Sequence, residues 1–278
     1  MTNILIIGAN GFIGNAISYE LHKNFQIHLT KLGRDQLDLS TDKILSPLQP
    51  LQFDVIVFAA ARAPAKNFHD YLINLKIVNN FIALVKEFNF KYILNISSDA
   101  VYPDTKVPIT EDLCPRPNTF HGLMHFSREL MLDASFPNKV GHLRSTLVYG
   151  LNDPHNGYGP NKFLRLALKN LPITINGKGE ELRDHIYIDD IAKIACVMID
   201  KSYLGPLNAA SGLPITFAEI GNIIKKLVPD CTIQYVRRES PIPHDGVRIF
   251  NISKLYELYP EYNPQNLLAN LSGLLDGS

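Results

Sequence analysis

Short apolar runs alternate with amphipathic stretches through the first 150 residues. Ile4-Leu5-Ile6-Ile7 is uninterrupted, and Asp54-Val55-Ile56-Val57-Phe58-Ala59-Ala60, Lys91-Tyr92-Ile93-Leu94-Asn95-Ile96 and Val140 to Leu143 repeat it. Runs apolar at nearly every position predict strands buried on both faces, as in a parallel sheet. Phe25–Thr30 reads as one more strand. Between the runs, Ala16, Ile17 and Leu21 mark one amphipathic helix. Leu72, Leu75, Val78, Ile82 and Val85 recur near the helical period and predict a long helix from Asn67 to Phe88. Phe120 to Ala134 reads as a further helix. Repeated strand–helix alternation with right-handed crossovers makes a doubly wound parallel α/β sheet.

The pattern changes after Gly150. Asn152 to Pro160 is dense in Asn, Gly, Pro and His and reads as an irregular loop. Phe163–Lys169 reads as a helix, followed by Ile173–Ile175 and a Gly177-Lys178-Gly179 turn. Thr216 with Glu219 forms a capping box opening a helix over Phe217–Leu227. Asp189–Ile199 is expected to rejoin the first unit as a helix. The expected division is a doubly wound domain over 1–160 with about 185–210, and a smaller lobe over 161–184 and 211–278.

Composition narrows the class. The chain has 278 residues, 46% hydrophobic and 19% charged, ample for a globular core. Lys+Arg and Asp+Glu both number 27, so no basic surplus points to nucleic acid or an anionic membrane. Cys114, Cys196 and Cys231 have no metal-binding spacing, and so sparse a set suits a reducing cytoplasm. The N-terminus enters a strand directly, so no signal peptide is expected. No apolar run approaches the length of a membrane span. Asn95-Ile96-Ser97 matches a glycosylation acceptor, but it lies in an expected buried strand.

The first candidate chemistry follows the first strand. Gly8-Ala9-Asn10-Gly11-Phe12-Ile13-Gly14 places spaced glycines between a buried strand and a helix start. There the backbone N–H groups and the helix N-terminus can meet a pyrophosphate. The first glycine permits the turn, the second the approach of phosphate, and the third close packing of helix on strand.

With further motifs in order along the chain, the sequence resembles the extended short-chain dehydrogenase/reductase family of nucleotide-sugar-modifying enzymes. Gly8-x-x-Gly11-x-x-Gly14 resembles its cofactor loop, with Asn10, Phe12 and Ile13 as further contacts. Phe58-Ala59-Ala60-Ala61 resembles the strand beside the cofactor. Ser97-Ser98-Asp99-Ala100-Val101-Tyr102-Pro103 resembles the segment carrying the active-site Ser or Thr. In that alignment Ser98 would bond the reacting sugar oxygen. Leu143 to Gly150 resembles the strand closing over the nicotinamide, which implies a contact from Thr146. Asn161, Arg183 in Arg183-Asp184-His185-Ile186-Tyr187-Ile188-Asp189-Asp190, and Arg248 are the implied substrate contacts. An Arg fork suits a diphosphate.

One departure dominates. The family's catalytic Tyr and Lys stand four residues apart, and those places hold His121 and His125. This spacing keeps both on one helix face. In the family pattern Lys holds the ribose and lowers the Tyr pKa, a shift from about 10 to near 7 worth roughly 4 kcal/mol. A histidine already titrates near about 6.5, and a neighbouring cation would only lower it. His121 is therefore the candidate general acid/base and His125 a ribose contact. An imidazole tip falls about 2 Å short of a phenol oxygen, and a misplacement of about 1 Å can cost roughly a hundredfold in rate. The substrate would sit deeper, or a water would bridge. Two alternatives stand beside this: a catalytically silent nucleotide-binding protein with a sensing or partner role, and a His121/His125 metal pair lacking an evident third ligand. Asp99 is a candidate acid or a loop cap. His155 and Tyr158 could reach the sugar, whereas Tyr102 is expected to pack.

Cofactor preference rests on the end of the second strand. Leu29-Thr30-Lys31-Leu32-Gly33-Arg34 carries no acid at its tip, and Lys31 and Arg34 favour NADP over NAD. Arg34-Asp35-Gln36-Leu37-Asp38-Leu39 resembles the NADP-using reductases that make GDP-fucose, which would place Asp38, with Leu39, near the adenine. The resemblance implies an NAD(P)-dependent oxidoreductase or epimerase on a nucleotide-linked sugar, nearest to 4-keto reductases. It also implies polysaccharide or glycoconjugate biosynthesis as the setting and a homodimer formed through the long helices of the first domain.

Overall fold

The computed structural model describes residues 2–24, 26–41, 52–264 and 266–276. Phe25, the expected start of the second strand, lies outside them, as do the last two residues of the expected lobe. The chain opens with β1 (Thr2–Ile7), α1 (Phe12–Asn24), β2 (Ile27–Leu32), β3 (Val55–Phe58) and α2 (Phe68–Val85). β4 (Tyr92–Ser98) passes through a 3-10 turn at Asp99–Val101 to α3 (Phe120–Ser135) and β5 (Val140–Ser145). Then come β6 (Leu147–Tyr149), α4 (Pro160–Leu168), β7 (Ile173–Asn176), β8 (Leu182–Arg183), β9 (His185–Tyr187), α5 (Ile188–Asp200) and β10 (Gly205–Ala209). The chain continues through β11 (Ile215–Thr216), α6 (Phe217–Leu227), β12 (Ile233–Val236), β13 (Val247–Arg248), α7 (Ser253–Leu258) and α8 (Leu267–Asp276).

Among the described residues, six strands form a parallel sheet in the order β10-β5-β4-β3-β1-β2. The chain winds outward from β1 to β2, then returns to β3 on the other side of β1. Such a reversal opens a crevice beyond the carboxyl ends of β1 and β3. Two-residue alternation assigns the core. Ile4, Ile6, Val55, Val57 and Leu94 face α1 and α5, while Leu5, Ile7, Ile56, Phe58 and Ile93 face α2 and α3. The apolar runs lack polar positions because both faces are covered.

A third core gathers Phe163, Ile173, Ile175, Phe217, Ile220, Ile224 and Leu271 into the lobe. The capping box at Thr216 and Glu219 is present, with both reciprocal bonds made. Two local expectations shift. α4 starts at Pro160 rather than Phe163, since a proline suits the first helical turn. Phe250, Ile252, Leu255 and Tyr262, expected in the lobe, pack into the core beneath α5.

Candidate active site

Gly8 ends β1 with a φ of +93°, where a Cβ would lie 2.5 Å from the Ala60 nitrogen. At Gly14 a Cβ would lie 2.2 Å from the Gly8 carbonyl oxygen, so α1 starts pressed against the turn. The Gly11 amide donates to the Gly8 oxygen at 3.0 Å and tightens the loop. Next in the chain come the first N–H groups of α1, which have no intrahelical acceptor. Beyond the loop lie two cavities of about 290 Å³ and about 1050 Å³ that share Gly11, Ala59 and Ala61 as walls. Gly8, Asn10, Arg34, Asp38, Leu39 and Ala60 line the smaller one. Phe12, Ile13, Gly14 and Thr146 line the larger. A glycine cradle that any Cβ would fill, opening on two joined cavities, fits a dinucleotide.

Lys31 is the exception among the expected cofactor residues. β2 runs on to Leu32, so Lys31 pairs opposite Ile6 within the strand and lines neither cavity. The tip falls instead at Gly33-Arg34. Arg34 donates to the Asp38 carboxylate at 3.2 Å. Asp38 also accepts from the Ser40 amide and hydroxyl, which with Arg34 hold its carboxyl below the usual range.

At the far wall, β4 delivers Ser98 and Asp99. Ser98 Oγ accepts from the Ala100 amide at 3.2 Å and donates to Asp99 Oδ1 at 3.3 Å. Thr119 caps α3 by accepting from the Gly122 amide at 3.1 Å. A Cβ on Gly122 would lie 2.0 Å from the Ala100 oxygen, so α3 starts in contact with the turn after Ser98. Ser98, Asp99, His121 and His125 all line the larger cavity. The two imidazoles meet edge to face with centroids 4.8 Å apart. Both Nδ1 atoms are buried without a partner among the described residues. Burial lowers the proton affinity of His121, against the pull of Asp99. In His125 burial, then His121 and Arg128, push it well below the ordinary value. Among the described residues, no cluster of three potential ligands completes a metal site around the pair.

Arg183, Arg248 and Asn161 also line this cavity, each already engaged. Arg183 donates to Glu181 at 2.7 Å and to the Pro243 oxygen at 2.8 Å. Arg248 donates to Asp99 Oδ2 at 2.6 Å and also to the Asp99 carbonyl. Both a side-chain and a backbone oxygen of Asp99 thus accept from the Arg248 guanidinium. The Asn161 carboxamide bridges Asp153 and the Gly150 amide, which folds the loop back on α4. His155 and Tyr158 line the cavity, and the Tyr158 hydroxyl accepts from the Asn176 amide. Tyr102 packs as expected, fully buried with its hydroxyl between Arg144 and Asn208.

Sequence reading missed His185, which lines the cavity with both ring nitrogens buried and unpartnered. Its signal was its place within the Arg183 to Asp190 block. Burial drives its pKa down to about 3. No helix among the described residues is long and apolar enough to cross a membrane.

The doubly wound sheet, glycine cradle and paired cavities define a fold of the dinucleotide-binding class with a smaller lobe attached. The chain belongs to the NAD dependent epimerase/dehydratase family, whose model matches residues 4–209. It is similar to an uncharacterized UDP-glucose epimerase of Bacillus subtilis, 25% identical over 236 residues, covering 72% of this chain and 73% of the relative. The fold matches a Methanobrevibacter ruminantium UDP-N-acetylglucosamine 4-epimerase in complex with UDP-N-acetylmuramic acid. That match has a TM-score of 0.80 at 23% identity and covers 99% and 97% of the two chains. It also matches a Bacillus cereus UDP-glucuronic acid 4-epimerase in complex with UDP-glucuronic acid and NAD. There the TM-score is 0.81 at 20% identity, over 99% and 98%.

Proposed function

We propose that the protein is an NAD(P)-dependent oxidoreductase or epimerase of a nucleotide-linked sugar, with His121 as the group that moves the proton. The observation carrying this reading is a half-buried imidazole lining the same cavity as Ser98, beside a glycine cradle. Because burial lowers its proton affinity, His121 is neutral near pH 7 and able to accept a proton from a sugar hydroxyl. Ser98 holds the oxygen that gains or loses it. Arg183 and Arg248 supply the charge for a diphosphate, and Arg248 would exchange its bonds to Asp99 for that ligand. Gly8 to Gly14 and Ala59 to Ala61 would hold the dinucleotide, which when bound supplies hydride exchange at a sugar carbon. Arg34 at the rim of the smaller cavity supports NADP over NAD. The exposed Phe68, Leu72, Phe120 and Leu130 on α2 and α3 support a homodimer through those helices.

The test offers 4-keto and 4-hydroxy nucleotide sugars with either dinucleotide, following the absorbance of the reduced nicotinamide for net reduction or oxidation and the sugar NMR spectrum for epimerisation. Turnover is expected, and His121→Gln is expected to lower kcat by about 10²–10⁴-fold with dinucleotide binding intact. An unchanged rate in that variant removes His121 from the mechanism. Tight dinucleotide binding without turnover of any sugar favours the silent reading, in which the edge-to-face histidines merely pack.

A further inference from the structure

Arg128 lies on α3 one turn beyond His125 and is 4% exposed. Its side chain crosses to the end of β3. Nη1 donates to the Ala60 oxygen at 3.0 Å and Nη2 to the Phe58 oxygen at 2.5 Å. The guanidinium carbon sits over the Phe58 ring, 3.6 Å from its centroid, and Phe58 in turn stacks on Phe81. Its acceptors among the described residues are both carbonyls. Glu129, whose charge acts on it, gives its oxygens to Ser97 and Arg144. Nε is buried without a partner. Burial lowers the pKa to about 9, which leaves the group charged near neutral pH.

As a space-filler this side chain is a costly choice, because two carbonyls and a ring face only partly replace water around a cation. Its position gives it another use. Ala59 and Ala61 wall both cavities, and Gly8 packs directly on Ala60. β3 leaves its ladder at Phe58, where the last pairings are with Ile7 and Asn95. Arg128 holds the two carbonyls at which the strand becomes cavity wall.

We propose that Arg128 is a positioning residue that fixes the Phe58–Ala61 wall of the dinucleotide cleft against the helix carrying His121 and His125. It also sets a permanent cation beside the histidine pair. The inference rests on the dinucleotide reading above. The charge has a visible neighbour, since Arg128 contributes to holding the His125 ring neutral, after burial and His121. The other charged or titratable groups lining the cavity are Lys66, Asp99, Tyr149, Asp153, His155, Tyr158, Arg183, His185, His244 and Arg248.

Two variants separate bonding from charge. Arg128→Lys keeps the cation but cannot span both carbonyls, and Arg128→Met removes both. Each is compared with the wild-type protein by fluorescence titration with the reduced dinucleotide and by NMR titration of the His125 ring without dinucleotide. Both variants are expected to bind the dinucleotide about tenfold more weakly. The His125 titration is expected to rise in Arg128→Met and to stay in place in Arg128→Lys. Dinucleotide affinity within about twofold of wild type in Arg128→Lys overturns the positioning role. An unmoved His125 titration in Arg128→Met overturns the charge role. Should Arg128→Met fail to fold, Arg128→Lys decides by its affinity. If the wild-type protein binds no dinucleotide, the functional reading falls, and the His125 titration alone decides the part of Arg128.

Discussion

Among the described residues, the imidazoles of His121, His125 and His185 in this site carry buried nitrogens without partners. An unpaired polar atom in the interior is a cost that a bound ligand can relieve. His185 lets that cost be measured. Its folded pKa is about 3, far below the ordinary value of 6.5. Above pH 6.5 neither the folded nor the unfolded chain protonates this ring, and stability is unaffected. As pH falls from 6.5 toward 3, the unfolded chain takes up a proton that the folded ring refuses, so stability is lost. Urea denaturation of His185→Phe should show a flatter acid limb, with about 2 kcal/mol less stability lost between about pH 7 and about pH 5 than in wild type. Parallel curves would show that the ring finds a proton-accepting partner in the folded protein.

At the scale of elements, α3 matters most, because its first turn is pressed against the turn after Ser98. Gly122 makes that approach possible. In a free helix, Gly→Ala is stabilising by about 1 kcal/mol. Here the added Cβ would lie 2.0 Å from the Ala100 oxygen, a backbone atom that cannot rotate away. Overpacking costs about 1–3 kcal/mol and should win. Gly122→Ala is expected to lower the melting temperature slightly, while turnover falls by roughly a hundredfold because the helix start shifts His121. Thermal melts and steady-state kinetics on one preparation test this, and equal losses of stability and activity would count against it. The long helices and buried strands were legible because their periods are local. β9 was not. It is three residues long, and its parallel pairing with β6 joins segments on either side of the lobe.

For the whole molecule, the larger cavity is walled by both the sheet unit and the lobe, which on the proposed reading closes the substrate end. Contacts tie them together: Arg248 to Asp99, Asn270 to the Tyr149 hydroxyl, and the Thr146 hydroxyl to the Asp184 carbonyl. A ligand binding only the folded state raises its stability, by about 2.7 kcal/mol at a hundredfold excess over Kd. If Arg34 reads a 2′-phosphate, NADP should raise the melting temperature more than NAD at equal concentration. Arg34→Ala should remove that difference, and its side chain is exposed enough for the fold to be unaffected. A larger shift with NAD in the wild-type protein would reverse the assigned preference.

By itself the sequence determined the alternation of elements, the doubly wound class, the glycine cradle and the positions of Ser98, His121 and His125. Those features follow from short-range periodicity and from residues a few positions apart. Tertiary structure alone decided which of the candidate charges are free. Arg248 and Asp99, 149 residues apart in the chain, occupy one another, and Lys31 fell outside the cleft when β2 ran on past it. It also decided that Arg128 spends its guanidinium on two carbonyls 68 and 70 residues away. Such pairings depend on which faces the packed sheet and helices bring within about 3 Å, a distance no local pattern encodes.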